Sequence, residues 1–224
     1  MSSRAALSFW PLFDLRLVTA RLVLRAPTDD DFPGLIAAID SGIHAPEEMP
    51  FSAPWTDTAP EARARTSAQF WWSQRAGWSP DGWHLGLAVL RDGQAIGVQD
   101  VAAKDFKVLR EVTTGSWLTL GAQGQGFGKE MRAAVLQLAF EDLGAEVARS
   151  EAFVDNSSSV GVSRALGYRE NGFSRAAPRG TPRAQVHFEM TREEWLARRD
   201  QLPRAEISGL RACLAMFGLD GTGA

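Results

Sequence analysis

The residues whose types and spacing could do chemistry are Gln123-Gly124-Gln125-Gly126-Phe127-Gly128-Lys129. Before them, Val112 to Leu118 mixes β-branched, small and aromatic residues and reads as a strand. After them, Met131, Val135, Leu138 and Ala139 recur at helical spacing. A strand that feeds a glycine-rich turn and then opens a helix lets successive N–H groups point into one hollow. The helix N-terminus adds unpaired donors and the positive end of its dipole, which makes a site for a phosphate or pyrophosphate. A P-loop is excluded, because Gln123 stands where its first Gly belongs and Glu130 where its Mg-binding hydroxyl belongs. Gly124, Gly126 and Gly128 give G-x-G-x-G rather than the dinucleotide pattern G-x-G-x-x-G, and no early βαβ unit surrounds them. The bland reading of the same residues is a strand-to-helix turn that uses glycine for tight geometry.

The chain that must position this turn has 224 residues, 45% hydrophobic and 23% charged, enough for one sizeable core. A net charge of −3 gives no basic footprint for nucleic acid. No apolar run approaches the roughly 20 residues that span a bilayer, so no membrane partner is expected. The lone Cys213 rules out an internal disulfide framework and a Cys-only metal site, and no metal is expected. Met1 to Trp10 lacks a signal-peptide core and cleavage site, which reads as cytoplasmic.

In chain order, an aromatic arm over 1–14 precedes a strand over 17–25, which Pro27 stops. Thr28-Asp29-Asp30-Asp31 caps a helix carrying Phe32, Leu35, Ile36 and Ile39. Residues 42–55 read as a loop with large apolar Met49, Phe51 and Trp55, either a small satellite core or the wall of a substrate pocket. A helix over 60–75 follows, in which Trp71 and Trp72 cannot share one face. Strands over 83–90 and 95–101 form a hairpin through Asp92-Gly93, and a third antiparallel strand runs into the glycine turn. A helix over 126–143, a strand over 147–154, a helix after Asn156 that ends at Gly167-Tyr168, a strand over 186–190, a helix capped by Thr191 and an amphipathic helix over 207–217 complete the pattern.

Gln123, Gly126 and Gly128 match the Q/R-x-x-G-x-G/A signature of the GCN5-related N-acetyltransferases (GNATs), which the chain resembles. L-x-T-x-R-L-x-L-R over 17–25 and T-R-E-E-W over 191–195 are similar to the RimJ/RimL branch, as is Asn156 and Ser159 followed by Gly167-Tyr168. W-P-L-F-D-L-R near the start, M-P-F-S-x-P-W over 49–55 and F-V-D-N over 153–156 look most like actinobacterial succinyl-transferring members. The resemblance covers 15–197, which implies one GNAT domain there and a helical extension and tail over 198–224. It implies an α/β (α+β) fold, a mixed, largely antiparallel sheet of about six to seven strands flanked by helices, with a V-shaped cleft for acyl-CoA. It also implies an N-acyltransferase using acetyl-CoA or succinyl-CoA, a small-molecule or protein amine acceptor, and leaves room for a homodimer.

On that resemblance, the turn from Gln123 to Lys129 would hold the CoA pyrophosphate. Trp117, Leu118 and Leu120 would offer the backbone edge for the pantetheine arm, with a backbone N–H near Trp117 or Leu118 for the oxyanion. Asn156 is either a helix cap or a pantetheine contact. Many GNATs place a tyrosine acid four residues before the G-F/Y pair; Ser163 stands there, and the branch pattern moves the sulfur's hydrogen-bond donor to Ser159, which could equally be a plain helix cap. For the general base, His44 ranks first and Glu151 second among residues that include His84, Asp100 and His187, beside a water relay with no single base. A succinyl carboxylate would need a cation or several donors beyond the thioester. Arg25, Arg75, Lys104, Arg110 and the indoles of Trp55, Trp72 and Trp83 are available, and spacing singles out none. Two other classes stay open: a silent acyl-CoA-binding module, and a hydrolase using Cys213 with a histidine.

Overall fold

The computed structural model describes residues 9–219. The outer part of the expected arm and the end of the tail lie outside the described residues.

After a 3-10 turn over Pro11–Asp14 the chain forms a hairpin where the sequence reads as one strand. β1 (Arg16–Val18) and β2 (Val23–Arg25) pair antiparallel across a turn in which Thr19 N–H donates to Leu22 O at 2.9 Å. The turn is fixed from afar. The Thr19 hydroxyl donates to Glu130 Oε1 at 2.6 Å, and Arg21 pairs with Glu130 Oε2 at 2.5 Å. Local alternation carries no trace of a partner 111 residues away.

Thr28 and Asp31 form a capping box, and α1 (Phe32–Asp40) follows. α2 is Pro60–Ala76. β3 (Gly82–Arg91) and β4 (Gln94–Lys104) form the expected hairpin. Asp92 and Gly93 both have positive φ, 51° and 80°, which suits a two-residue turn matched to strand twist. A short α3 (Phe106–Leu109) leads into β5 (Glu111–Leu118). After the glycine turn come α4 (Phe127–Gln137), which widens into a π turn over Leu138–Asp142, then β6 (Val147–Phe153) and α5 (Ser157–Leu166). β7 (Arg169–Ala176), β8 (Arg183–Thr191), α6 (Arg192–Arg198) and β9 (Glu206–Ser208) complete the order.

The described strands form one sheet of nine, ordered β7-β8-β6-β5-β4-β3-β2-β1-β9. Only β5 and β6 pair parallel. The expected count of about six to seven is corrected by the split first strand, by β7 and by β9. β7 reads Arg-Glu-Asn-Gly-Phe-Ser-Arg-Ala, a charged edge strand with no alternation to announce it. β9 and a 3-10 stretch over Leu210–Phe217 replace the helix expected at 207–217, with Cys213 and Phe217 buried.

Strand alternation divides the core between two faces. On one, Leu85, Leu87 and Val89 of β3 and Val112 of β5 pack with Met131, Val135 and Phe140. On the other, Ala88 and Val98 meet Phe32, Leu35, Ile39 and Trp71 of α1 and α2. Trp71 is the buried member of the tryptophan pair; Trp72 is exposed and donates to Asp29. Among the described residues, no helix is long and apolar enough to cross a membrane.

Candidate active site

The site begins where two strands part. β5 and β6 pair only at Glu111–Val147, Val112–Ala148 and Thr113–Arg149, although both run on for several residues. Past that row the contact passes to side chains: Thr114 Oγ1 donates to Arg149 O and Ser150 Oγ to Thr114 O, each at 3.3 Å. Beyond these hydroxyls the strands diverge into a cleft of about 1120 Å³.

In an antiparallel pair the backbone groups of successive residues point to opposite sides. Thr119 N–H donates to Ile96 O, and Gly115 O accepts from Gln99 on β4, so the odd residues of β5 address β4. Thr114 O and Leu118 O accept from Ser150 and Gln123 on the other side. The amides of Ser116 and Leu118 therefore face the gap, whereas that of Trp117 faces β4. This corrects the expectation for Trp117, which contributes an indole beside Trp55 instead, with ring centroids 6.4 Å apart. Ser116 was missed; period-two alternation from a known β4 partner would have found it.

The glycine turn sits at the mouth of the cleft. Gly124 and Gly126 have φ of 72° and 80°, which a side chain would strain. Among the described residues, the N–H groups of Gly124 to Lys129 meet no acceptor, as expected for a turn opening a helix. A Cβ on Gly128 would stand 3.2 Å from Val162 Cγ2 of α5. That glycine lets α5 pack close to α4, while the turn itself offers bare backbone donors with open space beside Gly124, and the residues present fit a pyrophosphate. The side chains nearby do other work. Gln123 Nε2 ties Ile43 O (2.7 Å) to Leu118 O (2.9 Å), and Gln125 Nε2 donates to Gly121 O. Phe127 is buried under Arg21 and Arg91, leaving only its amide for a ligand, and Leu120 is exposed beside the turn.

On α5, Asn156 Oδ1 accepts from Ser159 N–H at 3.1 Å, so Asn156 is the cap and the Ser159 hydroxyl is not. Both line the cleft. Ser163, at the position of the family's tyrosine acid, is fully buried. Tyr168 is buried as well; burial pushes its phenol pKa up, and its hydroxyl lies 3.3 Å from Thr114 Oγ1.

Between these elements lies a residue that sequence reasoning passed over. Arg132, one turn after Gly128 on α4, is 4% exposed. Nη1 reaches Ser150 Oγ at 3.0 Å and Ser163 Oγ at 3.4 Å, and Nη2 reaches Ser116 Oγ at 3.0 Å. Its Nε has no partner, and among the described residues no carboxylate lies within ion-pair distance. Burial pushes its pKa down, with the nearby Tyr168 opposing. An arginine inside the apolar period of a helix gives no local signal of such a setting.

The opposite face of the sheet carries two histidine–carboxylate neighbours. Asp100 is opposite Gly115, and His84 Nε2 stands 3.0 Å from Asp100 Oδ1, out of line for a hydrogen bond. Glu151 Oε2 is 3.8 Å from His187 Nδ1. His44 is not free: Nδ1 faces Ala45 O and Nε2 faces Thr56 Oγ1, both at 2.8 Å. A carbonyl only accepts, so Nδ1 carries a proton, and Nε2 is engaged with the Thr56 hydroxyl. Arg179, which pairs with Asp57, and Arg183, which donates to Met49 O, close a roof over this side. Three of the four basic residues considered for a carboxylate are engaged elsewhere, Arg25 with Asp31, Arg75 with Asp29 and Arg110 with Leu143 O, and Lys104 is exposed at the end of β4. Among the described residues no three His, Cys, Asp or Glu gather to hold a metal.

The site is thus a glycine turn with free backbone donors at the mouth of a split sheet, with further donors along one lip and carboxylates across it. The family model "Acetyltransferase (GNAT) domain" matches residues 21–169, and the chain belongs to that family, whose chemistry is acyl transfer from coenzyme A thioesters. Solved structures share the fold. Mycobacterium smegmatis RimJ with a CoA disulfide is 18% identical, covering 87% of this chain and 98% of that one, TM-score 0.66. RimL, a ribosomal L7/L12 alpha-N-protein acetyltransferase in complex with coenzyme A, is 17% identical, covering 79% and 97%, TM-score 0.65. A GCN5-related N-acetyltransferase from Brucella melitensis is 19% identical, covering 83% and 82%, TM-score 0.66.

Proposed function

We propose that this chain transfers an acyl group from acyl-CoA directly to a primary amine in a ternary complex, with a succinyl donor in preference to an acetyl one. The observation that carries the reading is the parting of β5 from β6 between the glycine turn and the carboxylate face. Acyl-CoA would supply the activated carbonyl, where the amine's C–N bond forms as C–S breaks. The amides of Gly124 to Lys129 hold the pyrophosphate, and those of Ser116 and Leu118 receive the pantetheine arm and the carbonyl oxygen. The Ser159 hydroxyl hydrogen-bonds the leaving sulfur.

A lysine-type amine has a pKa of about 10.4 and must lose a proton before attack. Asp100 with its neighbour His84 takes that proton, directly or through one water, from the face opposite the turn. This moves the role from His44, both of whose ring nitrogens are engaged, with Glu151 further out on the same face. The carboxylates of Asp100 and Glu151 suit a cationic acceptor, a small polyamine-like molecule or a protein α-amine of the kind named for RimL. The succinyl preference rests on the subgroup wording at 49–55 and 153–156.

The test is thiol release from succinyl-CoA and acetyl-CoA with a panel of amines and N-terminal peptides. Asp100→Asn should lower kcat by at least about ten-fold and flatten its rise with pH, as removal of a general base does. The buried Ser163 in place of a tyrosine favours one second reading, a silent acyl-CoA-binding module. Tight acyl-CoA binding without amine-dependent thiol release would establish that reading instead. A higher kcat/KM for acetyl-CoA would sink the succinyl preference alone.

A further inference from the structure

We propose that Arg132 is the receptor for a carboxylate at the far end of the acyl group, and that it selects thioesters of dicarboxylic acids over those of simple alkanoic acids. The proposal rests on the acyl-CoA reading of the cleft and assigns the residue that decides the donor.

A guanidinium taken out of water needs a counter-charge, and neutral hydroxyls return only part of the lost hydration. Arg132 has three serine hydroxyls and a bare Nε. The nearest carboxylate in sequence, Glu130, is spent on Thr19 and Arg21. Glu151, an odd residue of β6, faces away from the side to which its neighbour Ser150 turns its hydroxyl toward Arg132. The protein thus keeps a buried cation at the throat of a substrate cleft and supplies no anion for it.

Position narrows the choice of anion. Gly128 and Arg132 are four apart on α4 and share a face, so the guanidinium lies down the cleft from the phosphate turn rather than in it. Its Nη2 touches Ser116, whose backbone amide faces the gap and is a donor for the thioester carbonyl. An acyl group bonded at that carbonyl and reaching toward the closed end of the split would run into Ser150, Ser163 and Arg132. A pocket for an acetyl methyl group would be walled with apolar side chains; this one ends in hydroxyls and a cation. The planar fork of a guanidinium matches a carboxylate with two parallel N–H donors.

The experiment compares CoA, acetyl-CoA and succinyl-CoA by calorimetry and by kcat/KM in the native protein, Arg132→Met and Arg132→Lys. Methionine keeps length and removes a charge that has no partner, so the fold should hold. In the native protein succinyl-CoA should bind more tightly than acetyl-CoA. Arg132→Met should lower both affinity and kcat/KM for succinyl-CoA roughly 10- to 100-fold, as loss of a paired charge does, while acetyl-CoA and CoA stay within about three-fold. Arg132→Lys, which keeps charge without the fork, should fall between. An equal loss for both donors would instead assign Arg132 to the departing thiolate and overturn the proposal, as would no loss for either. If Arg132→Met does not fold, the native comparison decides: equal affinity for the two thioesters refutes the carboxylate receptor while the acyltransferase reading stands. Binding of no CoA thioester at all refutes both.

Discussion

Ser150 Oγ donates to Thr114 O at 3.3 Å, in the first row where β5 and β6 no longer exchange backbone hydrogen bonds. That side-chain bridge marks the apex of the cleft. Below it the parallel ladder holds the sheet together; above it the edge of β5 is left for a ligand. The same Ser150 oxygen accepts from Arg132, so the apex and the buried cation are one assembly.

The glycine turn predicts a clean loss of cofactor affinity. Gly126 has φ of 80°, and a Cβ there would stand 3.4 Å from Arg21 Nη2. Gly126→Glu adds strain of about 1–2 kcal/mol and a negative charge at the helix N-terminus. CoA affinity by calorimetry should fall at least about ten-fold. Unchanged affinity in a variant with native circular dichroism would remove the turn from the cofactor site.

Ser159 and Asn156 separate chemistry from stability. Because the cap is Asn156 Oδ1 to Ser159 N–H, Ser159→Ala keeps it. Turnover should drop several-fold at constant acyl-CoA affinity and constant Tm, since an interaction with sulfur strengthens as charge develops. Asn156→Ala should instead lower stability by about 1 kcal/mol. A Ser159→Ala protein with native turnover would leave the sulfur without its assigned donor.

The Arg25–Asp31 pair predicts an acid transition. Burial opposes the Asp31 carboxylate, but the Arg25 fork and the Thr28 donors outweigh it and hold its pKa at about 2. A depressed carboxylate stabilises the fold above its unfolded pKa and loses that contribution as pH falls through the folded one. The difference corresponds to roughly 2 kcal/mol, lost between about pH 4 and pH 2. Urea unfolding of Asp31→Asn and the native protein should differ by about this much at pH 5 and converge toward pH 2. A gap independent of pH would mean that the pair does not carry the shift.

Cys213 should be chemically silent. It is fully buried, with Sγ donating to Gly209 O at 3.4 Å, and burial pushes its thiol up to about 11. Little thiolate exists at neutral pH. Iodoacetamide should leave the native protein unlabelled and its activity unchanged; rapid inactivation would revive a thiol-dependent hydrolase.

What the sequence determined by itself is local or repeated in local form. Gly124 and Gly126 announce the turn because positive φ needs glycine, and Gly128 follows them because α5 packs close against it. Asn156 announces a cap, Asp92-Gly93 a hairpin, and the periods of 3.6 and 2 announce most helices and long strands. Tertiary structure decided the rest. The break after Val18 depends on Glu130, β7 is an edge strand without alternation, and the Ser116 amide faces the gap only because β4 fixes the pairing phase of β5. His44 is tied to Ala45 O and Thr56, and Arg132 becomes a buried cation among hydroxyls on β5, β6 and α5. Each depends on charge, desolvation or hydrogen-bond phase set by groups far along the chain, and those energies do not exist until the chain has folded.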